Sequence, residues 1–145
     1  MNKNHFSALL LLAAFVLAGC ATSVTLSSVP DEAHLVVAKS SISGTLPIST
    51  SIGRTTFGKY PFKVEKEGCE PMYGMLPLNV SGTAITMDVL FFAPAAFWTA
   101  QRAFPFYQFD LEKQIIRYKK GERDEWKEYP VTEQERSKAM TFFGE

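Results

Sequence analysis

Tyr60-Pro61-Phe62-Lys63-Val64-Glu65 decides the fold class. Tyr60, Phe62 and Val64 fall on one face, while Lys59, Lys63 and Lys66 surround the other. A period of two with one apolar side describes a half-buried strand, and Glu67-Gly68 closes it. Toward the amino terminus, Val24, Leu26 and Ser28 alternate with Thr25 and Ser27, which predicts a first strand. Pro30-Asp31-Glu32-Ala33 breaks it with a turn, and His34-Leu35-Val36-Val37-Ala38 reads as a second strand. Ser40 to Ser43 with Gly44 reads as a loop or tight turn. Thr45-Leu46-Pro47-Ile48-Ser49 reads as extended, because a residue before proline is pushed out of the helical region. A polar connection from Arg54 to Gly58 leads back to the opening stretch. Beyond it, Met72 to Val80 is a further strand that Pro71 and Pro77 make irregular or confine to an edge.

The carboxyl-terminal third continues the pattern. Strands are expected over about 105–110 and 114–119, joined at Leu111 to Lys113 or fused into one bulged strand. Residues 110–145 carry 17 of the chain's 30 charges, with the signs mixed, so they form a solvated surface and not a nucleic-acid arm. Thr132-Glu133-Gln134-Glu135 has capping-box spacing and predicts a short helix over about 132–142. Trp126, Tyr129, Val131, Met140 and Phe142-Phe143 are the candidates for holding this tail to the body.

The amino terminus is an address. Lys3 supplies a positive charge, and Phe6 to Val16 supplies an apolar run of eleven residues, too short to span a bilayer as a permanent helix. Leu17-Ala18-Gly19-Cys20 follows and resembles the lipobox of bacterial lipoproteins. The resemblance implies a signal peptide over 1–19, cleavage between Gly19 and Cys20, and acyl chains such as palmitate on Cys20. The alternative is an ordinary secretory signal in which Cys20 is incidental. Several chains are needed because one gives only marginal membrane binding, each buried methylene adding about 0.8 kcal/mol. Ala21 stands where lipoproteins kept at the inner membrane carry Asp, so the resemblance implies the outer membrane, facing the periplasm.

The remaining residues, 20–145, are enough for one domain with a modest core. Within them, Ser28-Val29-Pro30-Asp31-Glu32-Ala33, Gly44-Thr45-Leu46-Pro47 and Glu65-Lys66-Glu67-Gly68-Cys69-Glu70-Pro71 are similar in order and spacing to the segments of the PEGA domain. The resemblance covers about residues 23–80. It implies a small antiparallel β-sandwich of the PEGA or transthyretin-like kind, found on bacterial envelope proteins and thought to bind or scaffold. Cys69 stands where that family usually has an aromatic residue.

Residues 75–109 hold only two charges, Asp88 and Arg102, but half of the twelve phenylalanines. The apolar segment 89–103 is too short to cross a hydrocarbon core, and Pro94 in a first turn predicts a short helical insertion over roughly 94–102. Three uses stay open: core filling, an interfacial loop beside the anchor, or a docking patch for another envelope protein. Phe91, Phe92, Phe97, Trp98 and Arg102 are the candidate membrane or partner contacts. Residues 104–120 then return to the sheet, and 121–145 form the charged tail with its short helix.

Composition excludes more than it assigns. The chain has no net charge, so no strong field attracts nucleic acid. Nucleophile-elbow, phosphate-loop and metal motifs are missing from the sequence. A catalytic triad would have to use His34, the sole histidine after Cys20. Cys69 reads as a small buried hydrophobe or, alternatively, an intermolecular bridge. The expectation is therefore a non-enzymatic binding or scaffold module that needs no cofactor and is held to the membrane through Cys20. Its partner would be an envelope protein or a cell-wall component. The alternative is an accessory lipoprotein subunit of an export or motility machine.

Overall fold

The structure, a computed structural model, describes residues 21–53, 59–80 and 101–145. Among these the chain is mainly β, with eleven strands and one helix. The strands are β1 (Thr22–Val29), β2 (His34–Val37), β3 (Ile42–Thr45), β4 (Ile48–Ile52), β5 (Pro61–Glu65) and β6 (Met72–Met75). They continue with β7 (Leu78–Val80), β8 (Gln101–Ala103), β9 (Phe106–Asp110), β10 (Ile115–Lys119) and β11 (Lys127–Pro130), and α1 (Glu133–Phe143) closes the chain. One sheet has the order β11-β10-β9-β1-β4, a second β3-β2-β5-β6, and β7 with β8 makes a separate ribbon. All pairings are antiparallel except β1 with β9, which is parallel.

The two larger sheets share one core, as the alternation in the sequence requires. Val24 and Leu26 of β1 and Tyr107 and Phe109 of β9 come from the first sheet, and Leu35, Phe62 and Val64 from the second, all fully buried. The rings of Phe62 and Phe109 meet across the gap with centroids 4.9 Å apart and planes tilted by 53°. Gly74, opposite Phe62 in β6, is where this packing needs a residue without a side chain. A Cβ there would lie 2.9 Å from the Phe62 ring and 3.0 Å from Val131. Asp110 is the one buried acid in the described core. It accepts hydrogen bonds from the Lys113 N–H at 2.9 Å and pairs with Arg117 at 3.0 Å, which offsets the cost of burying its charge.

Two expectations are corrected, at Ser40 to Gly44 and in the tail, and two are refined. Ser40 to Gly44 is not all loop: the turn lies earlier, and Ile42–Thr45 is a strand because Ile42 joins the core and β2 supplies an edge to pair with. The extended run from Thr45 to Ser49 is two strands in different sheets, separated at the cis Leu46-Pro47 peptide, with Leu46 buried between them. Met72 to Val80 is likewise divided at Leu76-Pro77, as proline removes a ladder donor. The tail also contains a strand that was not expected: β11 pairs with β10, from Ile115 opposite Pro130 to Tyr118 opposite Lys127. The helix after it has the expected capping box on Thr132 and Glu135 and ends on Gly144 in the left-handed region at φ 78°.

Register also defines two ends. Thr22 pairs with Ile52, Thr25 with Phe106, and Phe106 with Lys119. The start of β1, the end of β4, the start of β9 and the end of β10 therefore share what we call the basal end. β11 begins there too, opposite Tyr118. The β7–β8 ribbon extends from it: the Thr25 N–H donates to the Pro105 carbonyl at 2.8 Å, and Val80 pairs with Gln101 at the far end of its described residues. The turns at 30–33, 66–71 and 111–114 lie at the opposite, distal end.

Candidate functional site

A groove of about 590 Å³ opens at the basal end. Leu78, Asn79 and Val80 of the ribbon form one wall, and Tyr118, Lys119 and the loop to Trp126 form the other. Phe104 floors it, stacked on Tyr118 at 4.2 Å between centroids. The ribbon stands where it does because Tyr107 ties it to the core. The buried Tyr107 Oη accepts from the Phe104 N–H at 2.8 Å and donates to the Pro77 carbonyl at 2.7 Å. Burial pushes that phenol well above its ordinary range, so it stays protonated and can keep donating.

Lys119 organises the rim. Its Nζ lies 5.1 Å from the Phe106 ring centroid and 4.8 Å from that of Trp126, and it donates to the Glu122 carbonyl at 2.6 Å. The ammonium is thereby held between two aromatic faces. Trp126 remains 38% exposed and Val80 50% exposed. The lining offers aromatic faces, Lys119, Lys120 and Lys127, and the carboxylates of Asp124 and Glu125, a set suited to stacking and ion pairing.

A second groove, of about 480 Å³, lies between α1 and the β5–β6 edge, lined by Lys39, Lys59, Pro61, Met75, Lys138 and Phe142 with Gln134 and Glu135. Here three groups close a triangle. Lys59 Nζ lies 2.5 Å from Glu135 Oε1 and 3.0 Å from Tyr129 Oη, and Tyr129 donates to the same carboxylate at 2.7 Å. Burial opposes the charge on Glu135, but hydrogen bonds from Lys59, Tyr129 and the Thr132 backbone outweigh it, and its pKa falls below 4.5. Burial likewise opposes the charge on Lys59, and Glu135 and Tyr129 reverse the effect, raising its pKa. The triangle joins β11, α1 and the entry to β5, which makes it a structural pin.

Its pH dependence follows from those directions. The stability owed to Glu135 is full above its unfolded pKa near 4.5 and is lost as pH falls through the lower folded value. Glu135→Gln keeps the capping geometry and removes the charge. The variant should be less stable than the parent by roughly 0.5–1 kcal/mol at pH 7, discounted for partial exposure, and the gap should close toward pH 3. Urea melts at both pH values check this, and an unchanged gap at pH 3 removes the charge from the account.

Of the residues singled out in the sequence, Gly19, Cys20, Phe91, Phe92, Phe97 and Trp98 lie outside the described residues, as does most of the expected helical insertion. Arg102 is described, and the expected helix over roughly 94–102 is corrected at its last two residues alone, since 94–100 lie outside the described residues. Residues 101–102 are in β8, with Arg102 exposed opposite Asn79, because β7 offers a ladder and Ala103 is buried. His34 is exposed, its Nε2 3.5 Å from the exposed Ser43 Oγ. Cys69 is half-buried and packs against the core. The described residues contain no cluster of three or more His, Cys, Asp or Glu arranged for a metal. No helix among them is long and apolar enough to cross a membrane.

Sequence reasoning did not single out Lys119 or Val80, and it treated Trp126 only as a tail contact. The available signal was the spacing of Tyr129 and Val131 two residues apart, both packed against the core, which marks Trp126 as the lead-in to a strand. No protein-family model matches the chain, no curated protein matches it, and no solved structure matches it.

Proposed function

We propose that this protein is a bacterial envelope lipoprotein whose β-sandwich is a binding or scaffold module, tethered to the outer membrane through Cys20 and facing the periplasm. The observation that carries the reading is Leu17-Ala18-Gly19-Cys20 placed directly behind a charged start and an eleven-residue apolar run. The position of the first strand supports it. β1 begins at Thr22, so Ala21 alone separates Cys20 from the sheet. Two residues span at most about 7 Å, so acyl chains on Cys20 would hold the basal end at the headgroups. The similarity of residues 23–80 to PEGA segments, and the aromatic groove at the same end, favour binding as the role of the body.

The test is covalent. Protein isolated from its host membranes should have lost Met1 to Gly19, gained the mass of its acyl chains, and taken up labelled palmitate. Cys20→Ser should take up none. An isolated protein that keeps Met1, or carries a free thiol at Cys20, overturns the reading.

A further inference from the structure

We infer that the basal end is a docking face for an anionic bilayer surface, with Trp126 and Val80 at the depth of the headgroups and basic side chains around them. The inference deepens the lipoprotein reading and takes from it which end faces the membrane and that a bilayer is at hand. The charge and the aromatic rim are independent of it.

The chain is neutral overall, yet its charges are segregated along the strand axis. At the basal end, the described residues include Arg102, Lys119, Lys120, Arg123 and Lys127, outnumbering Glu122, Asp124 and Glu125. At the distal turns the balance reverses: Asp31, Glu32, Glu67, Glu70 and Glu112 outnumber Lys66, Lys113 and Arg136, the last paired with Glu70 at 3.6 Å. Lys66 is itself occupied with the Asp31 carbonyl. The five residues of β10 run from the distal turn to Lys119, a distance of about 16 Å at ~3.3 Å per residue. That exceeds the Debye length of about 10 Å in 0.1 M salt, so the two ends feel different potentials beside a charged surface. An anionic surface draws the basal end in and turns the acidic end outward.

The exposed apolar groups fall at the same end. The large hydrophobics most open to solvent among the described residues are Val80, Trp126 and Phe142, and the first two line the basal groove. An isolated exposed hydrophobe needs no explanation. A tryptophan held against Lys119, in a groove that also carries Lys120 and Lys127 beside Asp124 and Glu125, has the composition of an interfacial anchor, its indole body at the headgroup boundary and its lysines at the phosphates. An acylated Cys20 with Ala21 as its only spacer would keep this end beside a bilayer while leaving the body free to tilt with the charge of the lipid, and that favours the bilayer over an acidic protein as the occupant.

The experiment uses the full protein as isolated, carrying Trp98→Phe so that Trp126 is the single fluorophore. It is mixed with vesicles of brominated phosphatidylcholine, with or without phosphatidylglycerol at a 2:1 ratio. Trp126 should be quenched strongly in the anionic vesicles and weakly in the neutral ones. The difference should vanish in 1 M salt, where the Debye length is about 3 Å. Lys120→Glu with Arg123→Glu and Lys127→Glu should bring Trp126 quenching in anionic vesicles down to its level in neutral ones, whereas Glu67→Lys with Glu112→Lys should leave it unchanged. Thermal melts confirm that these surface variants are folded. Equal quenching in both vesicles, or none in the anionic ones, overturns the inference. The mass of the same preparation keeps the two readings apart. Quenching with an unacylated Cys20 sinks the anchor and leaves the docking face, and an acylated protein with unquenched Trp126 does the reverse.

Discussion

Phe62→Ala should lower the free energy of unfolding by about 3–5 kcal/mol, the largest effect expected of a single core truncation here. Phe62 is fully buried on β5, between β2 and β6, and its ring meets Phe109 of the opposing sheet at 4.9 Å. Truncation removes the contact that joins the two sheets and leaves a cavity that neighbours fill only in part, since β5 has paired strands on both sides. Gly74 faces the vacated space and offers no side chain to fill it. For a domain of this size the midpoint of thermal unfolding should fall by roughly 10–20 °C. Phe142→Ala, at a half-exposed position on α1, should change it little. Calorimetry on both variants decides the matter: comparable losses would mean that the inter-sheet contact is not what holds the two layers together.

Tyr107→Phe should cost about 2–4 kcal/mol, although it removes a single oxygen. That oxygen serves two backbone groups at once, the Phe104 N–H and the Pro77 carbonyl, and both bonds are buried. Each group left without a partner away from water costs about 1–3 kcal/mol. The loss should be local as well as global, because these bonds position the β7–β8 ribbon and one wall of the basal groove. Amide exchange should therefore speed up first at Leu78 to Val80 and Gln101 to Ala103, with the pairing of β2 and β5 preserved. Tyr118→Phe, half-buried nearby with its ring against Phe104, is the control and should cost under about 0.5 kcal/mol. A Tyr107 variant as stable as that control would show that water satisfies both groups and that the tyrosine is only a packing residue.

Both experiments act on residues whose burial, though not whose partners, was legible beforehand. Phe62, Val64, Val24 and Leu26 announced themselves by alternation, and β5, β9, β10 and the capped helix lie within a residue or two of expectation. Tyr107 was readable as one face of a strand, but its hydroxyl acts on Pro77, thirty residues away, and no local pattern encodes that. The basal groove is a similar case. Its aromatic rim joins residues of β7, β10 and the loop before β11, which come together only after β10 has paired with both β9 and β11. β11 itself went unread because Lys127 and Glu128 precede Tyr129 and Pro130 follows it, so a four-residue strand shows no alternation.

Local chemistry was thus sufficient for the strand-rich class, for the helix cap at Thr132, and for the expectation of a lipid on Cys20, since each depends on residues within a turn or one strand of each other. Sheet membership, the parallel pairing of β1 with β9, and the gathering of opposite charges at opposite ends depended on contacts between distant segments. A strand's period of two says which side chains face inward, and it is silent on which neighbour donates the hydrogen bonds. That choice is made by the packing of the whole core.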